Sequence, residues 1–239
     1  MDISAAQARE FDRYVDLLLA ERSRANLTSL RDPAAIRRRH FAESLALLDA
    51  VEKAGALSPP LIDIGTGAGF PGVPIRIARP DLRLTLLEAT GKKAAFLERL
   101  REALGLRDVA VIHGRAEELA HDPAHREAYG LATARAVAPL PVLVELALPF
   151  LRIGGHLAAL KGSGAGREVR EAERSLRECG GEVVEVRALE LPDSAHPPAL
   201  VLIRKVAPTP ARYPRRPGVP SKRPLQASAG VRDTNRRLR

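Results

Sequence analysis

The chain has 239 residues, is 45% hydrophobic but only 3% aromatic, and lacks tryptophan, so it can bury a sizeable core of aliphatic side chains. Its single cysteine, Cys179, excludes a disulfide framework and a Cys-based zinc site. The net charge of +9 is uneven: residues 204–239 hold 11 Lys or Arg against one acid, Asp233, whereas residues 1–203 hold 27 basic and 28 acidic side chains. A neutral body with a basic end points to a polyanionic partner such as nucleic acid.

The opening "MDISAAQAREFD" is acidic and polar where a secretion signal is basic and then apolar, and no apolar stretch reaches the ~18 residues of a membrane span. A cytoplasmic protein with no membrane partner is expected. Residues 4–25 place Phe11, Val15, Leu18 and Leu19 at helical spacing, and "NLTSL" (26–30) interrupts the pattern. Asp32 reads as an N-cap with Pro33 at the first helical position. The helix it opens runs to about Lys53, turns Ile36, Leu45, Leu48 and Val51 inward and stops at Gly55.

After "SPP" (58–60) the rhythm changes. Strand-length apolar runs at 61–64, 82–87, 109–112, about 131–134 and 156–160 alternate with helical segments at 72–79, 91–104, 116–127 and 139–151. That alternation predicts an α/β fold: a Rossmann-like, doubly wound, mostly parallel sheet with helices on both faces. A charged helix (167–178) precedes two strands, 182–191 and 199–206, whose short connection favours an antiparallel hairpin and hence a reversed edge strand. Beyond Ala207, six prolines fall in 17 residues, which predicts a mobile tail. The expected organisation is a helical extension (1–57), a cofactor-binding domain (58–207) and a basic, Pro-rich, partly disordered tail (208–239).

The chemistry centres on "DIGTGAGFPG" (63–72). A triphosphate loop needs Lys and then Ser or Thr after its glycines, but Val73, Pro74 and Ile75 stand there. A dinucleotide fingerprint counted from Gly65 needs glycine at 70, where Phe70 stands, and Pro71 and Pro74 remove amide donors that a pyrophosphate would use. The spacing D-x-G-x-G-x-G suits a cofactor that brings a nucleoside and an amino acid without phosphate. Gly67 is a contact candidate because a side chain there would enter cofactor space, and Asp63 is expected to orient the turn. Glu88, ending the second strand, can accept hydrogen bonds from ribose hydroxyls. Ala116 and Glu117 follow the third strand where an adenine edge could be met, and a helix-start carboxylate is the competing reading of Glu117. Together these features read as a class I methyltransferase using S-adenosylmethionine (SAM), with S-adenosylhomocysteine as product.

The stretches "NLTSL", "RHFAESL", "DIGTGAGFPG", "ATGKKAAFLERL", "GRAEEL", "ARAVAPL", "LKG" and "YPRRPGVPSKRPL" occur in this order. In this the chain resembles the RsmG (GidB) family, bacterial enzymes that methylate guanine N7 in 16S (small-subunit) rRNA. The resemblance spans about residues 11–225. It implies cofactor contacts at Gly65, Phe70, Glu88, Ala89, Thr90, Ala116, Glu117 and Arg135, and a partner that is small-subunit rRNA or a ribosomal particle. One departure is "SAHPPALVLIRK", where Pro197, Pro198 and Ala199 stand before the last strand in place of the family's frequent basic residue.

No catalytic side chain and no metal are expected. Cys179 lies far from the strand ends, which speaks against pyrimidine C5 chemistry, and "ARAVAPL" (134–140) replaces the Asn/Asp-Pro-Pro-aromatic loop of adenine amino methylation. Guanine N7 carries a free lone pair and loses no proton, so proximity and alignment suffice. Arg135, at a strand's C-terminal end, could hold the cofactor carboxylate or an RNA phosphate, or pair with a surface acid. Lys161 sits on the same rim, and Arg215, Arg216, Lys222 and Arg223 lie in the proline-interleaved tail; all five cations other than Arg135 are RNA-binding candidates. His40 reads as a helix-packing histidine or an RNA-facing group. Alternatives are a SAM-dependent enzyme acting on another RNA or a small molecule, a non-catalytic RNA-binding protein and, more distantly, an NAD enzyme.

Overall fold

The computed structural model describes residues 3–191, 194 and 197–226. The chain opens with α1 (Ala5–Ala25), capped by Ser4 and Gln7 in a reciprocal capping box. Asp32 accepts from the amides of Ala34 and Ala35 and starts α2 (Pro33–Ile36), which continues through a π-helical stretch (Arg37–Phe41) into α3 (Ala42–Lys53). The expected second helix is therefore present, with an unforeseen widening that brings His40 and Phe41 round. Leu45 is only half-buried, and Leu47 takes the inward position beside Leu48 and Val51.

The remaining elements are β1 (Leu61–Ile64), α4 (Gly72–Ala78), β2 (Leu84–Glu88), α5 (Gly91–Ala103), β3 (Val109–His113), α6 (Ala116–Leu119), β4 (Tyr129–Arg135), α7 (Leu140–Ala147), β5 (Leu151–Lys161), α8 (Ala165–Glu171), α9 (Glu173–Cys179), β6 (Gly181–Ala188), β7 (Ala199–Lys205) and α10 (Val219–Lys222). The strand order is β3-β2-β1-β4-β5-β7-β6, parallel throughout except that β7 runs antiparallel to both its neighbours. The doubly wound class holds. The reversed strand, however, lies one place inside the edge. Its burial explains this: β7 is almost continuously buried, as a central strand must be, whereas β6 alternates like an edge strand with one face in water.

Period-two alternation divides the core. Leu61, Leu84, Leu86, Leu131, Ala158 and Leu200 face one cluster, shared with α1, α3, α4 and α5. Ile62, Leu87, Ala132, Leu157, Ala159 and Val201 face the other, shared with α7, α9 and the C-terminal segment. Residues from α1–α3 belong to the same core as the sheet.

Three further expectations need correction. The helix expected over 116–127 is the single turn α6, because Asp122 instead caps a following turn by accepting from Ala124 N–H. The helix expected over 139–151 ends at Ala147, and β5 begins at Leu151, paired with Tyr129. The third concerns the tail. Residues 208–226 form a strap packed onto the domain, with Thr209, Tyr213, Pro220 and Leu225 buried; the expected mobility beyond them falls on 227–239, outside the described residues.

Polar contacts hold the strap. Arg126 donates to the carbonyls of Thr209, Pro210 and Tyr213, and Lys205, fully buried, donates to the carbonyls of Leu148 and Cys179 and to Thr209. Burial drives the Lys205 ammonium down to about 8, against the pull of Glu127. Arg215 grips Glu145 through Nε and Nη2 at 2.8 and 2.7 Å, and the Glu145 side chain is 0% exposed. Arg215→Ala strands that carboxylate and should lower the unfolding free energy by about 3–5 kcal/mol in denaturant titration, with Glu145→Leu added to it recovering part of the loss. A loss under about 1 kcal/mol would show that the strap is not held this way.

Candidate active site

The glycine turn sits where strand ends of a doubly wound sheet present ligands. Gly65, Gly67 and Gly69 have φ of +62°, +63° and +103°, a region that side chains disfavour. Asp63 holds the turn from beneath. Its fully buried carboxylate accepts from Thr66 Oγ1 at 2.5 Å, Thr133 Oγ1 at 2.8 Å and Gly72 N–H at 3.0 Å, which joins β1, the turn, β4 and the start of α4. Burial raises its carboxyl to about 6 despite those three donors. Gly72 is glycine for a steric reason: a Cβ there would lie 2.9 Å from Asp63 Cβ and Oδ2.

Glu88 holds the turn from the side. Its Oε2 accepts from Gly67 N–H at 2.9 Å and its Oε1 from Thr90 N–H at 2.8 Å, and each oxygen keeps a lone pair for a further donor. A Cβ at Gly67 would find its nearest neighbour, the Gly65 carbonyl, only at 4.0 Å, so open space lies above the turn. A Cβ at Gly65 would strike Val137 at 2.9 Å, which makes Val137 the wall between the turn and the next cavity.

That cavity, about 630 Å³, is lined by Ser29, Leu30, Arg39, His40, Glu43, residues 135–139, Leu160, Lys161, Gly162, Glu168 and Pro198. Arg135 dominates it. Its guanidinium lies 4.9 Å over the Phe70 ring, donates to Glu43 Oε2 at 3.1 Å and contacts His40 Nδ1 at 3.0 Å. Burial lowers its pKa and Glu43 opposes the shift. Because arginine only donates, His40 Nδ1 must be the acceptor, which places the ring proton on Nε2, 3.0 Å from Thr28 Oγ1. Burial first and then Arg135 drive the imidazole down to about 3.

The predicted residues are thus sorted. Glu88 binds the amides of Gly67 and Thr90, Ala89 and Thr90 are exposed beside it, and Gly65 packs against Val137. The Phe70 ring is buried against Tyr14, His40 and Phe41, and its N–H is bonded to the Thr66 carbonyl. Ala116 and Glu117 are buried, and Glu117 Oε1 accepts from Gly218 N–H at 3.0 Å, which ties α6 to the strap. Arg135 has an acidic partner, as its competing reading required. Lys161 is paired with Glu168 at 2.9 Å and donates to the Ala138 carbonyl, so it faces the cavity as a neutralised pair. Arg215 is bound by Glu145 through Nε and Nη2, which fixes its guanidinium against the body. Arg216, Lys222 and Arg223 are exposed.

Sequence reasoning missed Tyr14 and Glu43. Tyr14 donates to the Ala68 carbonyl at 2.5 Å and stacks on Phe70 at 5.2 Å, and its oxygen would lie 2.6 Å from a Cβ at Gly69. Its signal was that a chain so poor in aromatics places Phe11, Tyr14 and Phe41 in its first helices.

The family model described as rRNA small subunit methyltransferase G matches residues 7–196. The similarly named proteins of Chloroflexus aggregans and Roseiflexus castenholzii are 49% and 48% identical, across 93% and 92% of this chain and 92% of each of theirs. The chain belongs to this family. With it comes the activity class, a SAM-dependent methyltransferase. Solved structures agree on the fold: a geranyl diphosphate methyltransferase in complex with SAM superposes with a TM-score of 0.54 at 17% identity, over 70% of this chain and 85% of the other. The Streptomyces coelicolor geranyl diphosphate C-methyltransferase gives 0.53 at 16%, over 69% and 79%. In this member of the family no helix among the described residues is long and apolar enough to cross a membrane.

The two shifted groups act oppositely on stability. His40, near 6.5 unfolded and about 3 folded, stabilises the native state above pH 6.5, and that contribution is lost as pH falls toward 3. Asp63, raised from 3.8 to about 6, adds stability as pH falls through that window. The direct check is NMR: the His40 ring signals, assigned by comparison with His40→Gln, should stay fixed from pH 8 to 5. A midpoint near 6.5 would contradict the buried neutral ring.

Proposed function

We propose that this protein transfers the methyl group of SAM to N7 of a guanine in 16S (small-subunit) rRNA, presented in a ribosomal particle in the cytoplasm. The observation that carries the reading is the Gly67–Glu88 pair: an amide and a carboxylate fixed against each other beneath open space, one side chain away from a cation-lined cavity. SAM supplies an electrophilic methyl carbon on a sulfonium. The chain's own part is to place it. The free lone pairs of Glu88 take the ribose hydroxyls, Gly65, Gly67 and the Phe70 backbone let the cofactor approach, and Ala89 and Thr90 continue that wall. Ala116 bounds the adenine, with Glu117 holding α6 in place through the strap.

Arg135 and Lys161 are each paired with a carboxylate, so the cavity is polar without a large excess of charge, and a base can enter on the apolar surfaces of Leu30, Val137, Pro139 and Pro198. N7 loses no proton, and His40, with both ring nitrogens engaged, has no role in taking one. On this reading residues 1–57 supply the acceptor wall and 58–207 the cofactor-binding body. The basic tail of residues 208–239 supplies the strap over 208–226 and, within it, the RNA-facing cations Arg216, Lys222 and Arg223. Those cations hold phosphates, and the body reads the base.

The experiment supplies labelled SAM and small-subunit particles from a strain lacking this protein, then maps N7-methylguanine by borohydride–aniline cleavage. One new cleavage site in 16S rRNA is expected. Gly67→Asn, which keeps a residue tolerant of positive φ but fills the open space, should abolish labelling while the protein stays folded. Label confined to transfer RNA, large-subunit RNA or a metabolite would reject the substrate.

A further inference from the structure

The stretch "RHFAESL" contributes Glu43, for which the cofactor reading has no use. Its side chain is 17% exposed, on α3, and faces the cavity beside Val137 and Arg135. A site that methylates guanine N7 must leave the N7/O6 edge to the methyl donor and grip the base elsewhere. What remains is the Watson–Crick edge, where N1–H and the N2 amino group are both donors. Enzymes that act on an extruded base read it by that edge. Two parallel donors call for two acceptors on one rigid group, which is the valence of a carboxylate.

The cavity offers two carboxylates. Glu168 has one oxygen filled: its Oε2 takes both the Leu140 N–H at 2.7 Å and Lys161 Nζ at 2.9 Å, which leaves only Oε1 for a base that presents two donors. In Glu43, Oε2 accepts one bond, from Arg135, and Oε1 has only Arg39, 4.0 Å away. Arg39, His40, Arg135 and Lys161 cannot receive two donors in this way, because the cations only donate and the accepting nitrogen of His40 is filled by Arg135.

We propose that Glu43 is the specificity-determining residue for guanine, receiving N1–H and the N2 amino group on its two carboxylate oxygens. Arg135, braced over Phe70, orients that carboxylate. An adenine in the same pose would present its N1 lone pair to a carboxylate and be rejected. The proposal rests on the guanine-N7 reading above.

The test uses particles reconstituted with ligated 16S rRNA carrying guanosine or inosine at the mapped position. Inosine keeps N7, O6 and N1–H and lacks the 2-amino group. The wild-type enzyme should transfer to inosine roughly tenfold or more slowly, in the range of one lost base-edge contact. Glu43→Gln should slow transfer to guanosine and remove the preference, because its amide now donates toward the amino group; its SAM affinity should stay near wild type. Glu43→Asp, which keeps a carboxylate, should retain a guanosine preference even where its absolute rate falls, and it carries the test if Glu43→Gln does not fold. Equal rates on the two bases in wild type, or an unchanged ratio in Glu43→Gln, would overturn the proposal while leaving N7 methylation standing. Absence of any borohydride-sensitive site in wild type would instead overturn the N7 reading itself.

Discussion

Everything at this site depends on one buried charge. Asp63 sits at 0% exposure and meets three donors from three different elements. A carboxylate taken out of water is costly unless hydrogen-bonded, so the donors must hold their places for the fold to be stable. That requirement fixes the path of the glycine turn, and the turn in turn fixes where Gly67 presents its amide to Glu88. The positive φ values of Gly65, Gly67 and Gly69 follow from this path, and Gly72 has to be glycine because Asp63 stands against it.

The N-terminal helices take part in the same constraint from above. Tyr14 leaves no room for a side chain at Gly69, reaches the Ala68 carbonyl and stacks on Phe70, and Phe70 in turn carries Arg135 on its other contacts. Arg135 then binds Glu43 and His40 from the second helical run. The cofactor face and the acceptor cavity are therefore two sides of one packed aromatic and ionic cluster, and a shift of α3 would be felt at the glycine turn. The strap makes a similar link on the other face, from the Arg215–Glu145 ion pair to the amide of Gly218 on Glu117.

How much of this was readable in the residues follows from their physics. The strands of the sheet were legible because buried parallel strands are apolar runs of the right length, and the turn because its glycines and Asp63 are local in sequence. Glu88 was legible for the same reason, at a strand end. The strap was not. Its prolines and arginines read as a solvated tail, and its partner lies 70 residues away in α7. A signal existed: Glu145 is a lone acid in the apolar run "LPVLVELA", and such an acid is buried only if paired. Lys205 in β7 carried the same message. The π-helical widening at Arg37–Phe41 has no local signature, so neither His40 beside Arg135 nor Glu43 in the cavity could be placed from spacing alone. Arg135 itself was placed correctly at a strand end, but its partner was 92 residues away.

The central claim is that the turn braced by Asp63 and Glu88 is the cofactor site. Amide hydrogen exchange with and without S-adenosylhomocysteine tests it most directly. Slowed exchange is predicted across residues 65–70, 88–90 and 116–117. A second cavity, of about 460 Å³, opens at the other end of the strands beside Thr85, Asp108 and His125. Protection centred there, with exchange at Gly67 unchanged, would contradict the account.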